Sequence, residues 1–158
     1  RAEQLLHSVG LDDARDQMAG DLSYGRKRVL EIATTLALDP KVLLLDEPMA
    51  GMGHEDVGTV SEIIRAIAKD RAVLMVEPNL DVVADLCHWI TVLARGEILA
   101  AGDYRTVSED ERVRHAYLLV GTRSSPWSAP NRATLSISLV NLRWSSASST
   151  IWATWGQS

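Results

Sequence analysis

Val42-Leu43-Leu44-Leu45-Asp46-Glu47 is a short, wholly apolar run that ends in two adjacent carboxylates. Such a run suits a strand buried on both faces of a parallel sheet. It would deliver the two acids at the strand's C-terminal edge, where open α/β sheets bind ligands. Paired acids there suit phosphate chemistry with Mg2+: one holds the metal through water, and the other polarises an attacking water. An acidic, solvated strand end satisfies the same pattern, so the run by itself leaves both readings open.

Working outward, Leu22-Ser23-Tyr24-Gly25-Arg26 lies one helix upstream. Ser23 is placed as an N-cap, and Val29, Leu30, Ala33, Leu36 and Ala37 recur at helical spacing until Pro40 ends the helix. Backbone N–H groups at a helix N-terminus, with a Ser hydroxyl beside them, form an anion site; a plain capped helix is the bland reading. Arg1 to Val9 reads as an earlier helix with no capping signal, which suggests a chain cut from something longer. Downstream, Val57, Val60, Ile63, Ile64 and Ile67 mark another helix, and Ala72 to Val76 another buried strand. A short helix at Leu80 to Leu86 precedes a strand at Ile90 to Leu93. Arg95-Gly96 then turns the chain into Ile98 to Ala101. Ser108 and Glu111 fit a capping box for a last helix to about Leu119. The alternation predicts an α/β fold: a mostly parallel sheet covered by helices on both faces, closed by a small C-terminal hairpin and helix.

The 158 residues, 46% of them hydrophobic, suffice for one compact domain with a real core. The net charge of −5 argues against a nucleic-acid partner, since such partners are held largely by clustered Lys and Arg. Cys87 is the single cysteine, which excludes an internal disulfide and favours a reducing compartment. No apolar stretch approaches the length of a membrane span, so any link to a membrane runs through partner proteins. Composition changes near Gly121: all 21 acidic residues lie at or before Glu111, whereas the last 37 residues lack Asp, Glu and Lys and hold four of the five Trp. Residues 1–121 therefore read as one domain, and residues 122–158 as a Ser/Trp-rich tail, disordered or non-native. Within it Leu135-Ser136-Ile137-Ser138-Leu139 alternates like a strand, and Trp152 with Trp155 could form an interfacial anchor.

Taken together, a capped Ser-x-Gly helix followed by a buried strand and Asp46-Glu47-Pro48 resembles the ABC ATPases. Their signature, usually Leu-Ser-Gly-Gly-Gln, precedes the Walker B strand by one helix. The resemblance covers roughly residues 1–121 and implies the C-terminal part of a P-loop NTPase-type domain. Tyr24 at the first of the signature's two glycine positions is similar to the ATP-binding subunits of branched-chain amino acid transporters. So are Glu47-Pro48-Met49-Ala50-Gly51-Met52, Glu77-Pro78-Asn79-Leu80-Asp81, Leu93-Ala94-Arg95-Gly96-Glu97-Ile98 and Arg112-Val113-Arg114-His115. The resemblance implies Asp46 as the Mg2+ organiser and Glu47 as general base. It places Leu22, Ser23, Tyr24, Gly25 and Arg26 against the γ-phosphate of ATP bound to a second ATP-binding subunit. It further implies transmembrane permease subunits and a location peripheral on the inner face of the cell membrane.

Three departures qualify it. The chain carries no working P-loop: Gly20 to Lys27 spells G-x-x-x-x-G-R-K, where Arg26 displaces the lysine and no hydroxyl follows. The family's loop is expected upstream of Arg1, so this chain alone is expected to be inactive. Pro78 stands where the family has its switch His, and proline offers neither a donor nor an ionisable group. His54 and His88 are conceivable substitutes, more simply read as surface or half-buried residues. Gly53, following Gly51 and Met52, stands where many members carry the Asp of the D-loop. A non-catalytic partner subunit is therefore a competing reading. DNA-repair-type ABC ATPases fit less well, because the chain has no heptads, no second Cys and a net acidic charge.

Overall fold

Ser23 stops the preceding loop by accepting the Arg26 N–H on its hydroxyl, and helix α2 (Tyr24–Leu36) starts there. Helix α1 (Ala2–Ser8) lies against α2. Between them run 3-10 turns at Asp12–Ala14 and Ala19–Asp21. The computed structural model describes residues 1–118 and 134–141. After α2 the chain alternates as expected: β1 (Val42–Asp46), α3 (His54–Ile67), β2 (Ala72–Val76), α4 (Leu80–Leu86), β3 (Trp89–Ala94) and β4 (Glu97–Gly102). Arg95 and Gly96 both take positive φ, 55° and 83°, the pattern of a type I′ hairpin turn between β3 and β4.

The last helical stretch departs from expectation. It forms two helices, α5 (Tyr104–Glu109) and α6 (Glu111–Leu118). Ser108 is no cap: it sits inside α5, and its hydroxyl donates to the Arg105 carbonyl. Asp103 caps α5 by accepting from the Thr106 N–H, and Asp110 accepts from the Arg112 and Val113 N–H groups at the start of α6. A carboxylate accepts from a first-turn amide more strongly than a hydroxyl does, so the two Asp define the boundaries.

Five strands form one sheet in the order β1-β2-β5-β3-β4, with β5 spanning Thr134–Asn141. β1 and β2 are parallel neighbours, from Val42 opposite Ala72 to Asp46 opposite Val76. β5 runs antiparallel to both β2 and β3, so β1, β2 and β3 share one direction, and β4 opposes it. The eight residues of β5 stand as a strand within the range read as a disordered or non-native tail, where Leu135–Leu139 alternates. The rest of that range, including Trp152 and Trp155, lies outside the described residues.

The core is a single cluster. Leu43, Val73, Met75, Ile90 and Val92 line one sheet face and join Val29, Ile32, Val60, Ile64 and Val83 of α2, α3 and α4. Burying each of these side chains stabilises the fold by about 1.5–3 kcal/mol. Within this chain β1 is covered on one face only. Val42 and Leu44 are 56% and 69% exposed, while Leu43 between them is 1% exposed. The helices contributing to the core cover one side of β1 and leave the alternate residues open.

Candidate functional site

The C-terminal edge of β1 and β2 gathers the acidic residues. Asp46 ends β1, exposed, and Glu47 follows it, exposed as well. Glu47 has φ 42°, a left-handed conformation that costs a non-glycine residue about 1–2 kcal/mol. Its N–H donates to the Val76 carbonyl at 2.8 Å, extending the β1–β2 ladder one residue past the strands. On β2 the next residue, Glu77, is 2% exposed. Its Oε2 accepts from the Met49 N–H at 3.4 Å and its Oε1 from the Asn79 N–H at 3.1 Å. Burial pushes its carboxyl above the ordinary range; the amides of Asn79 and Met49 oppose that, and the charge of Glu47 adds to it. Neither composition nor periodicity marked Glu77. It entered the sequence reading only within the Glu77-Pro78-Asn79 segment of the resemblance, with no role assigned to it.

The signature residues take different places. Leu22 is 7% exposed and belongs to the core. Ser23 caps α2, and Tyr24 is 51% exposed, with its ring over Gly51: a Cβ on Gly51 would lie 3.6 Å from Tyr24 Cε1. Gly51 itself has φ 75°, which suits glycine. Gly25 is buried against Asp56 of α3. Arg26 is bound bidentately by Asp13, with Nη1 to Oδ2 at 2.9 Å and Nη2 to Oδ1 closer still. The guanidinium holds the Asp13 carboxyl below its ordinary range. Met52 is half-buried against the core, and Gly53 caps α3 through its backbone alone. Two groupings result: Tyr24 with Gly51, and Asp46 and Glu47 with Glu77. The loop 48–53 belongs to both.

The other sequence candidates resolve plainly. The Gly20–Lys27 near miss is a 3-10 turn followed by the start of α2, and the Lys27 ammonium donates to the Gly20 carbonyl at 2.7 Å. Pro78 lies between Glu77 and Asn79, whose side chain caps α4 by accepting from the Asp81 N–H. His54 opens α3 at the same sheet edge as Glu47, exposed. His88 precedes β3 and so lies at the opposite edge, beside Arg65, Lys69 and Asp85, where it cannot replace a switch residue. A cleft of about 180 Å³ between α2 and β1, lined by Arg28, Glu31, Leu44, Asp46 and Pro48, reaches the acidic edge.

The residues present fit a hard divalent cation with a phosphate ligand. Asp46 and Glu47 offer exposed oxygens, as Mg2+ prefers one or two carboxylates completed by phosphates and water. The first-turn amides of α2 have no carbonyl partners within the helix, which suits an anion. No group of three or more His, Cys, Asp or Glu that could enclose a metal exists among the described residues.

Parallel strands ending in acids beside a capped helix form an α/β edge suited to phosphate and a divalent cation. Comparison with known proteins agrees. Residues 1–50 match the family model for ABC transporters. The lipopolysaccharide export system ATP-binding protein LptB of Haemophilus influenzae is 34% identical over 119 residues, 75% of this chain and 49% of that protein. The methionine import ATP-binding protein MetN of Bordetella pertussis is 35% identical over 109 residues, 68% of this chain and 30% of that protein. The crystal structure of the ADP conformation of MJ1267, an ATP-binding cassette of an ABC transporter, superposes with a TM-score of 0.66 at 28% identity. That match covers 72% of this chain and 47% of the MJ1267 chain. The matched part of the chain is ABC transporter ATP-binding domain sequence, and the chain spans about half the length of the LptB relatives it matches.

Proposed function

We propose that this chain forms part of an ATP-binding subunit that energises an ABC transporter. The observation supporting it furthest is the pair Asp46 and Glu47 at the C-terminal edge of β1, with Glu47 held by the Val76 carbonyl in a left-handed conformation. A costly backbone conformation at an acidic edge is typical of sites where geometry serves chemistry. In this reading bound ATP supplies the phosphoryl group, with Mg2+ neutralising its charge. Asp46 orients the metal's water shell, and Glu47 takes the proton of the attacking water. Ser23, Gly25 and the first amides of α2 contact the γ-phosphate of ATP held by a second ATP-binding subunit. Tyr24 shapes that surface by lying over Gly51. Arg26 serves it indirectly, because Asp13 occupies its guanidinium. The other partners are permease subunits, which place the domain on the cytoplasmic face of a membrane without crossing it. Among the described residues no helix is long and apolar enough to span one.

The transported substrate is a finer matter. The branched-chain amino acid reading rests on residue pattern alone, and the relatives named above serve lipopolysaccharide export and methionine import. A non-catalytic partner subunit is the second reading, favoured by Pro78, which gives the switch position no side-chain donor. The test is ATP turnover by this chain assembled with an ABC subunit carrying an intact P-loop. Glu47→Gln should lower turnover by about 10²–10⁴-fold, the usual contribution of a general base. Pro78→His should raise it. Turnover indifferent to Glu47→Gln would leave the non-catalytic reading in its place.

A further inference from the structure

Among the described residues Glu77 is a buried acid with no cation against it: burial, two amides and Glu47 act on its charge. An acid in that position carries a desolvation cost, which its two amide hydrogen bonds offset in part. Its two oxygens serve different segments. Oε2 holds the Met49 N–H in the loop after β1, and Oε1 holds the Asn79 N–H in the turn before α4. Between those two bonds lies the Glu47 N–H bond to Val76. Glu47, in its strained left-handed conformation, is thus fixed on one side by β2 and on the other by a loop that Glu77 pins. A glutamine could satisfy one amide with its single carbonyl oxygen, but its NH2 group would face the other donor. An ionised carboxylate accepts from both.

We infer that Glu77 is a positioning residue that couples the Pro78-Asn79 turn to the loop holding Glu47, so that a movement of the turn shifts the backbone of the general-base candidate. The ATPase reading supplies the purpose of this coupling; the coupling itself is nucleotide-independent and is measured without ATP.

The experiment is residue-resolved amide hydrogen exchange on the full chain. Asn79→Gly, which removes the α4 cap, perturbs the turn. In the otherwise wild-type chain it should speed exchange at Met49 by at least about fivefold while Val73 in β2 stays constant, since local opening leaves core strands protected. In a Glu77→Gln background Met49 should already exchange fast, and Asn79→Gly should add nothing there. An equal effect of Asn79→Gly in both backgrounds, or a rise matched at Val73, overturns the proposal. Should Glu77→Gln fail to fold, an NMR titration of the wild-type chain decides the matter. The Met49 and Asn79 amide shifts should follow the Glu77 carboxyl with one common midpoint; separate midpoints refute the coupling. Its failure leaves the Glu47→Gln turnover result unaffected, so the two readings stand or fall separately.

Discussion

Gly25→Ala tests whether the signature glycine is held by packing within this chain. A Cβ at Gly25 would lie 2.5 Å from Asp56 Cγ and 2.7 and 2.8 Å from its two oxygens. Those distances exclude the Cβ unless the carboxylate moves. Helix propensity favours alanine by up to about 1 kcal/mol. Against this, forcing Asp56 off its rotamer costs about 0.5–1.5 kcal/mol. Drawing its charge away from the N-terminus of α2 forfeits about 0.3–1 kcal/mol more. Gly25→Ala alone should therefore destabilise by roughly 0–2.5 kcal/mol, the difference of those terms. With Asp56→Ala in place the obstacle is gone, and the same substitution should stabilise by up to about 1 kcal/mol. Urea unfolding of the four proteins, followed by far-UV circular dichroism, closes the cycle. Two values of Gly25→Ala agreeing within about 0.5 kcal/mol would mean that the two sites are independent, which would refute the packing argument.

Two further outcomes follow from burial. Leu43→Ala should cost about 2–5 kcal/mol, whereas Leu44→Ala, one residue along the same strand, should stay within about 0.5 kcal/mol by urea denaturation. The folded-state pKa of Glu77 is raised, so in the window above its unfolded value the native state binds the extra proton and stability falls as pH rises. The stability difference between wild type and Glu77→Gln should therefore move in favour of the variant from pH 4 to pH 8, measured as urea midpoints across that range; a constant difference contradicts the assignment.

What the sequence disclosed was what local chemistry decides. Ser23 and Pro40 bracket α2, and Arg95-Gly96 turns a hairpin, because caps and positive-φ turns act within a few residues. The paired acids were legible because a strand end delivers them wherever the strand goes. The misses are tertiary or competitive. An apolar run tells that β1 is sticky on both faces but not that its neighbours cover only Leu43's side. Ser108 lost its cap role to Asp110, a stronger acceptor two residues on. Alternation marked Leu135–Leu139 as strand-like, yet nothing local places β5 between β2 and β3. Glu77 could not be picked out because its two partners, Met49 and Asn79, meet only once β1 and β2 pair.

The same logic accounts for the substitution that departs most from the family's signature. A tyrosine at position 24 must put its ring somewhere, and half of it faces solvent. Its ring edge lies near Gly51, whose missing side chain leaves room and whose φ of 75° only glycine adopts without strain. Any side chain at 51 would pay for that backbone and meet the ring within 4 Å as well. Tyr24 and Gly51 are therefore one feature, joining the α2 N-terminus to the loop 48–53. Glu77 joins the same loop to the turn before α4. A loop held at both ends by contacts from different elements moves only when both give way. Both contacts meet in the loop 48–53, which directly follows Glu47.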